Sequence, residues 1–100
     1  MSDVEITNAE ILTETEKKIV EKLLNEYESK FQREIKTLER LKIEFKEYDK
    51  EGKKKKYSIN SQIIFSGKIF TSSSWDWDLA RAIHKAMKKI ETEIEHWKKD

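Results

Sequence analysis

Few residues in this 100-residue chain have the types and spacing that chemistry needs. It contains no cysteine, which excludes a thiolate nucleophile, a thiolate metal site and a disulfide framework. His84 and His96 lie on one amphipathic run, and at 100° per residue they point about 120° apart, too far to share a metal. Glu93 and His96 have the Glu-x-x-His spacing of a di-iron helix, but that site needs two such pairs and the chain supplies one. With glycine only at positions 52 and 67 there is no glycine-rich phosphate loop. The serine run Ser72, Ser73 and Ser74 has no base beside it and reads as a strand-to-helix junction. The expectation is a protein that is not an enzyme, with no catalytic residue, no metal and no cofactor.

What remains is cationic and aromatic. Lys53, Lys54, Lys55 and Lys56 form an unbroken quartet in a turn region, and Arg81, Lys85, Lys88 and Lys89 gather on or near one side of the final helix, with Lys98 at its end. Ammonium groups so clustered suit phosphates, with an affinity that falls steeply with salt. The same lysines also suit solvated surfaces, the quartet as charge that keeps a sheet edge from aggregating. Trp75 and Trp77 flank Asp76. Indoles there can stack on nucleobases, worth about 1–3 kcal/mol per base, but more often such residues close the end of a small core, which is the expectation here. Trp97 and Tyr57 are expected in the core.

Composition sets the frame for these residues. One hundred residues make one domain, 1–100, with a single modest core. Charged residues are 41% of the chain, well above the usual ~25%, yet the net charge is only +1 and the apolar residues are periodic, so a folded domain is expected. Residues 1–35 carry five basic and nine acidic side chains, residues 36–70 ten and five, and residues 71–100 six of each. A basic middle therefore follows an acidic first third, a mild nucleic-acid signal. The first residues lack a basic segment followed by an apolar one, and the longest apolar run is Ile63-Ile64-Phe65. Neither a signal peptide nor a membrane span is expected, and the location is cytoplasmic.

The elements follow from periodicity. Val4 to Thr7 alternates as a short edge strand. Thr13 and Glu16 form a capping box, and Ile19, Val20, Leu23, Leu24, Tyr27 and Phe31 recur at helical spacing, predicting a helix over 14–31 that could extend past 36. Leu41, Ile43 and Phe45 alternate with charges as a half-buried strand, Asp49 to Gly52 reads as a turn, and Tyr57 to Phe65 alternates again. Ser66-Gly67 predicts a tight hairpin into a third strand that fades at Ser73. The last helix starts at Ser74 or Asp76 and buries Leu79, Ile83, Ala86, Met87, Ile90, Ile94 and Trp97. The economical fold is α+β: a two-layer sandwich in the order β-α-β-β-β-α, its sheet mainly antiparallel and both helices on one face.

At this point the chain resembles the ribosome hibernation-promoting factor family, which includes ribosome-associated inhibitor A and the proteins once called sigma-54 modulation proteins. Asp78-Leu79 and Ala82-Ile83 match its pattern ahead of the last helix. Ile90-Glu91, Ile94, Trp97 and Lys98 echo the helix itself, and Ile11-Leu12-Thr13-Glu14 resembles its entry into the first helix. The chain departs at Ala80, where the family has Tyr, and at Thr92 and Glu95, where it has basic residues. The resemblance implies a short member, without the C-terminal dimerisation domain of longer ones. Such a member occupies the messenger and transfer RNA channel of the small ribosomal subunit and blocks translation in stressed or starved cells. It assigns ribosomal RNA contact to Lys85, Lys88, Lys89 and Lys98; Arg81 and the lysine quartet join them on charge alone.

Two other readings compete. A double-stranded-RNA-binding domain shares the α-β-β-β-α core, but Trp75-Asp76-Trp77-Asp78 stands where its lysine cluster belongs and would repel phosphates. A small adaptor domain, binding a protein partner through a wet sheet face or sheet edge, accounts better for the near-neutral charge.

Overall fold

A computed structural model describes residues 3–51 and 54–99, with side chains described at 4–46 and 55–99. The elements run β1 (Asp3–Thr7), α1 (Glu14–Glu34), β2 (Leu38–Glu51), β3 (Lys54–Phe65), β4 (Lys68–Asp76) and α2 (Leu79–Lys99), with one 3₁₀ turn at Ala9–Ile11. The four strands form one sheet in the order β1-β2-β3-β4. β1 pairs with β2 in parallel, because α1 carries the chain back between them, and the other pairs are antiparallel. The expected α+β sandwich is borne out.

Alternation along each strand sorts the sheet faces. Leu41, Ile43 and Phe45 of β2 and Ile59, Ile63 and Phe65 of β3 point inward and are buried. α2 lies over β3 and β4 on that face, and α1 packs beside it. The stripe Leu79, Ala82, Ile83, Ala86, Met87, Ile90 and Ile94 closes α2 onto the sheet, while Val20, Leu24 and Phe31 do the same for α1. Ile19, expected in the α1 stripe, is exposed. Trp97 lies at the rim of the core, packing edge-on against Phe65 with ring centroids 5.0 Å apart.

Several boundaries differ from expectation. α1 ends at Glu34, and Leu38 opens β2 instead of continuing the helix. β2 and β3 run on through the predicted 49–52 turn, pairing as far as Glu51 with Lys54 after a register irregularity between Glu47 and Lys50. Gly52 of that turn lies outside the described residues. The Ser66-Gly67 hairpin is as expected: Ser66 has φ 47° and Gly67 φ 75°, the pair of left-handed residues that suits the twist of a two-residue hairpin.

The serine run departs most. β4 does not fade at Ser73 but continues through Asp76, which turns Ser72, Ser74 and Asp76 inward beneath α2. Small side chains there let α2 approach closely through Ala82 and Ala86. Ser72 donates to the Ala86 carbonyl at 3.0 Å, Ser74 to that of Ala82 at 2.8 Å, and the buried Ser61 pairs with Ser72 at 2.5 Å. Every polar atom in this seam is matched, which is what permits its burial.

The start of α1 is tied to the sheet by a second polar network. Thr13 and Glu16 form the expected capping box, the Thr13 amide donating to Glu16 Oε1 at 2.8 Å and the Glu16 amide to Thr13 Oγ1 at 3.1 Å. The Tyr57 hydroxyl donates to the other Glu16 oxygen. Burial would push the Glu16 carboxyl up, but the Thr13 amide, the Tyr57 hydroxyl and the Lys55 charge together hold it below its ordinary value. Burial and this same carboxylate push the Tyr57 phenol up to about 12.

Replacing Thr13 by Ala should lower the unfolding free energy by about 1 kcal/mol in a urea titration, the usual worth of a side-chain cap. Because Glu16 is more acidic folded than unfolded, its contribution is complete above the ordinary value of 4.5 and is lost as pH falls through the lower folded value. The wild-type urea midpoint should therefore fall more steeply in acid than that of Glu16→Gln. Parallel acid limbs would refute the assignment.

Candidate nucleic-acid interface

The cationic residues do not form one patch. Lys55 and Lys56 are adjacent strand residues and so face opposite sides of the sheet. Lys55 points inward and donates to the Ile11 carbonyl at 2.7 Å, fastening the 3₁₀ turn to β3. Lys56 lies over the Trp75 ring, 4.1 Å from its centroid. Lys53 and the side chain of Lys54 lie outside the described residues.

On α2 the cations divide again. Asp76, buried at 7% exposure, is the hub at the end of β4. Its Oδ2 accepts from Lys85 at 2.8 Å, and its Oδ1 accepts the Asp78 amide at 2.9 Å and lies 3.7 Å from the Arg81 guanidinium. The Lys85 ammonium, the Asp78 amide and Arg81 together hold the Asp76 carboxyl below its ordinary value. Helix α2 begins later than expected, at Leu79. Asp78 is its cap, accepting the Arg81 amide at 2.9 Å, because Ser74 and Asp76 are still strand residues.

Lys85 also donates to the Trp75 carbonyl at 3.3 Å, and Lys89 to that of Ser73 at 2.5 Å. β4 is an edge strand, so these two lysines cover backbone acceptors that would otherwise invite another strand. Lys88 and Lys98 are exposed and make no ion pair with any described residue. His84 is exposed as well, its ring nitrogen 2.6 Å from the Tyr27 hydroxyl. Among the described residues no cluster of three or more metal-ligating side chains occurs.

The tryptophans reverse the expectation that they seal the core. Trp75 is 50% exposed and Trp77 42%. Once β4 extends to Asp76, Trp75 falls on the outward phase with Ile69, Thr71 and Ser73, opposite Ser58. Trp77 meets it edge-on, ring centroids 6.2 Å apart. Beside Trp75 opens a groove of about 570 Å³ whose lining includes Lys46, Lys56, Asn60, Ser73 and Lys89 and, among the described residues, no carboxylate. Sequence reasoning missed Lys46 and Asn60. The signal was the alternation Thr71, Ser73, Trp75 against Ser72, Ser74, Asp76.

No protein-family model matches the chain, and no curated protein matches it. Solved structures do. A ribosomal subunit interface protein from Coxiella burnetii superposes with a TM-score of 0.63 at 15% identity, over the whole of both chains. The N-terminal domain of Protein Y from Thermus thermophilus superposes with a TM-score of 0.64 at 25% identity, over 97% of this chain and 99% of that one. In its fold the chain matches the hibernation-promoting factor family. The resemblance read at Asp78-Leu79 and Ala82-Ile83 thus agrees with the architecture, and the structure gives those residues scaffold work: Asp78 caps α2, while Leu79, Ala82 and Ile83 bury its first turns.

Removing the Asp76 side chain should loosen the start of α2. Asp76→Ala is expected to speed hydrogen exchange at the Asp78 amide and along the first turn several-fold, whereas Asp76→Asn, which keeps the oxygen acceptor, should protect the Asp78 amide better. Equal exchange in the two variants would show that the hub acts through charge alone.

Proposed function

We propose that this chain is a cytoplasmic, ribosome-associated translation inhibitor, binding ribosomal RNA in the messenger and transfer RNA channel of the small subunit. One observation carries the reading: the fold is shared from end to end with a ribosomal subunit interface protein and with the Protein Y domain. The charge layout supports it. Lys88 and Lys98 on the outer side of α2 make no ion pair with any described residue, so no described carboxylate competes with a phosphate for them. Neither group is committed to the scaffold, in contrast to Lys85, held on Asp76, and Lys55, held on the Ile11 carbonyl.

Tagged protein should co-sediment with small subunits through a sucrose gradient at low salt and be released at high salt. The double variant Lys88→Gln, Lys98→Gln leaves the β4–α2 seam untouched. It should lower the slope of log affinity against log salt by about 2, roughly one for each phosphate no longer neutralised. A protein that stays at the top of the gradient at low salt and instead co-purifies with a protein partner would replace this reading with the adaptor one.

A further inference from the structure

Among the described residues of the sheet, Trp75 is the aromatic side chain that faces outward; the apolar residues Ile64 and Ile69 share that face. It stands on the outer face, half exposed, on a paired strand residue whose backbone is fixed. The Lys56 ammonium lies over its ring, the Trp77 ring meets it edge-on, and Lys85 lies 5.8 Å from its centroid. An indole held this way is already ordered, so a ligand that stacks on it meets little further loss of side-chain freedom. The surroundings name the ligand. Lys46, Ser58 and Trp75 form one row across β2, β3 and β4, so Lys46 and Trp75 stand two strand spacings apart, about 10 Å. The next row brings Asn60 and Ser73 into the groove as neutral hydrogen-bonding groups. A flat ring, lysines over and beside it and neutral donors and acceptors on the floor are together the recognition set for a nucleotide.

Charge also fixes where the site stops. Beyond Asn60 the outer face carries Glu44, 3.9 Å from Lys46, and then Glu5 paired with Arg40 and Lys42. Phosphates gain nothing by continuing in that direction. The ring lies against a sheet rather than projecting from a loop, so a base still paired and stacked in a duplex cannot reach its face.

Resting on the ribosomal RNA reading above, we infer that the Trp75 groove binds an unpaired nucleotide of single-stranded RNA. The base stacks on Trp75 in place of the Lys56 ammonium, its edge meets Asn60 and Ser73, and the flanking phosphates lie on Lys46 and on Lys56 swung aside from the ring. The site is separate from the outer side of α2 and adds a preference for unpaired RNA that the α2 lysines cannot supply.

The test is fluorescence anisotropy of the intact protein with dye-labelled single-stranded RNA of about ten nucleotides and with a blunt RNA duplex of the same length. Wild type should bind the single strand more tightly. Trp75→Ala should weaken single-strand binding roughly 5- to 100-fold while duplex binding is unchanged, and Trp75→Phe, which keeps a stacking ring, should recover most of the loss. Lys46→Gln should lower the salt slope by about 1. Equal affinity of Trp75→Ala and wild type for the single strand, or tighter binding of the duplex by wild type, would overturn the inference. The same variants are run in the sucrose gradient. Wild type absent from small subunits defeats the ribosome reading. Wild type present there, with Trp75→Ala binding the single strand as wild type does, defeats only the nucleotide site.

Discussion

The close seam between β4 and α2 is the constraint on which the rest of the structure depends. A helix can lie near an edge strand only if both surfaces are small, and here Ser72 and Ser74 face Ala82 and Ala86. Each hydroxyl answers a helix carbonyl, so the seam is short without leaving an unmatched polar atom. That distance decides what the polar side of α2 can reach. Lys85 and Lys89 extend to the β4 carbonyls, and Asp76 can hold the strand end and the first helical turns in one network. Replacing either serine by a larger apolar residue would push the helix away and dissolve all of these interactions at once.

The same seam places Trp75. With Ser74 and Asp76 committed inward, strand alternation leaves Trp75 no direction but outward. Its exposure is therefore a consequence of packing on the opposite face. Water-exposed indole is an aggregation liability, and the structure lessens it with the Lys56 ammonium over the ring. A groove with no carboxylate among its described lining residues beside such a ring turns the residue from a burden into a platform.

Much of the fold was legible because its signals were local. The Thr13–Glu16 capping box, the Ser66-Gly67 hairpin and the α2 stripe are each set by residues within a few positions of one another. The Leu41–Phe45 alternation is equally local, and it gives the sheet phase without knowledge of its partners. The site was less legible because it depends on where β4 ends. Serine is a weak strand former, so Ser72, Ser73 and Ser74 read as a junction, and a strand stopped there leaves the phase of Trp75 undefined. What carries β4 onward is pairing with β3 and the hydroxyl bonds to α2, both of which are tertiary. The lysine quartet was hard to read for the same reason: at Lys55 and Lys56 the strand separates neighbours onto opposite faces.

This sorting changes what a charge variant can mean. Lys85 and Lys89 match the family pattern, yet both hold the β4 edge, so neutralising them disturbs the strand that presents Trp75 as well as any phosphate they meet. Weaker RNA binding in such variants would not separate the two causes. Lys88 and Lys98 report on phosphate alone because nothing described in the fold leans on them. Lys46 is nearly as clean, with only the 3.9 Å approach to Glu44 to lose among the described residues. A near-neutral chain can therefore still present a local cationic surface: Asp76 and Glu16 are engaged with neighbours inside the scaffold, while Lys88 and Lys98 stand outward where a polyanion would meet them.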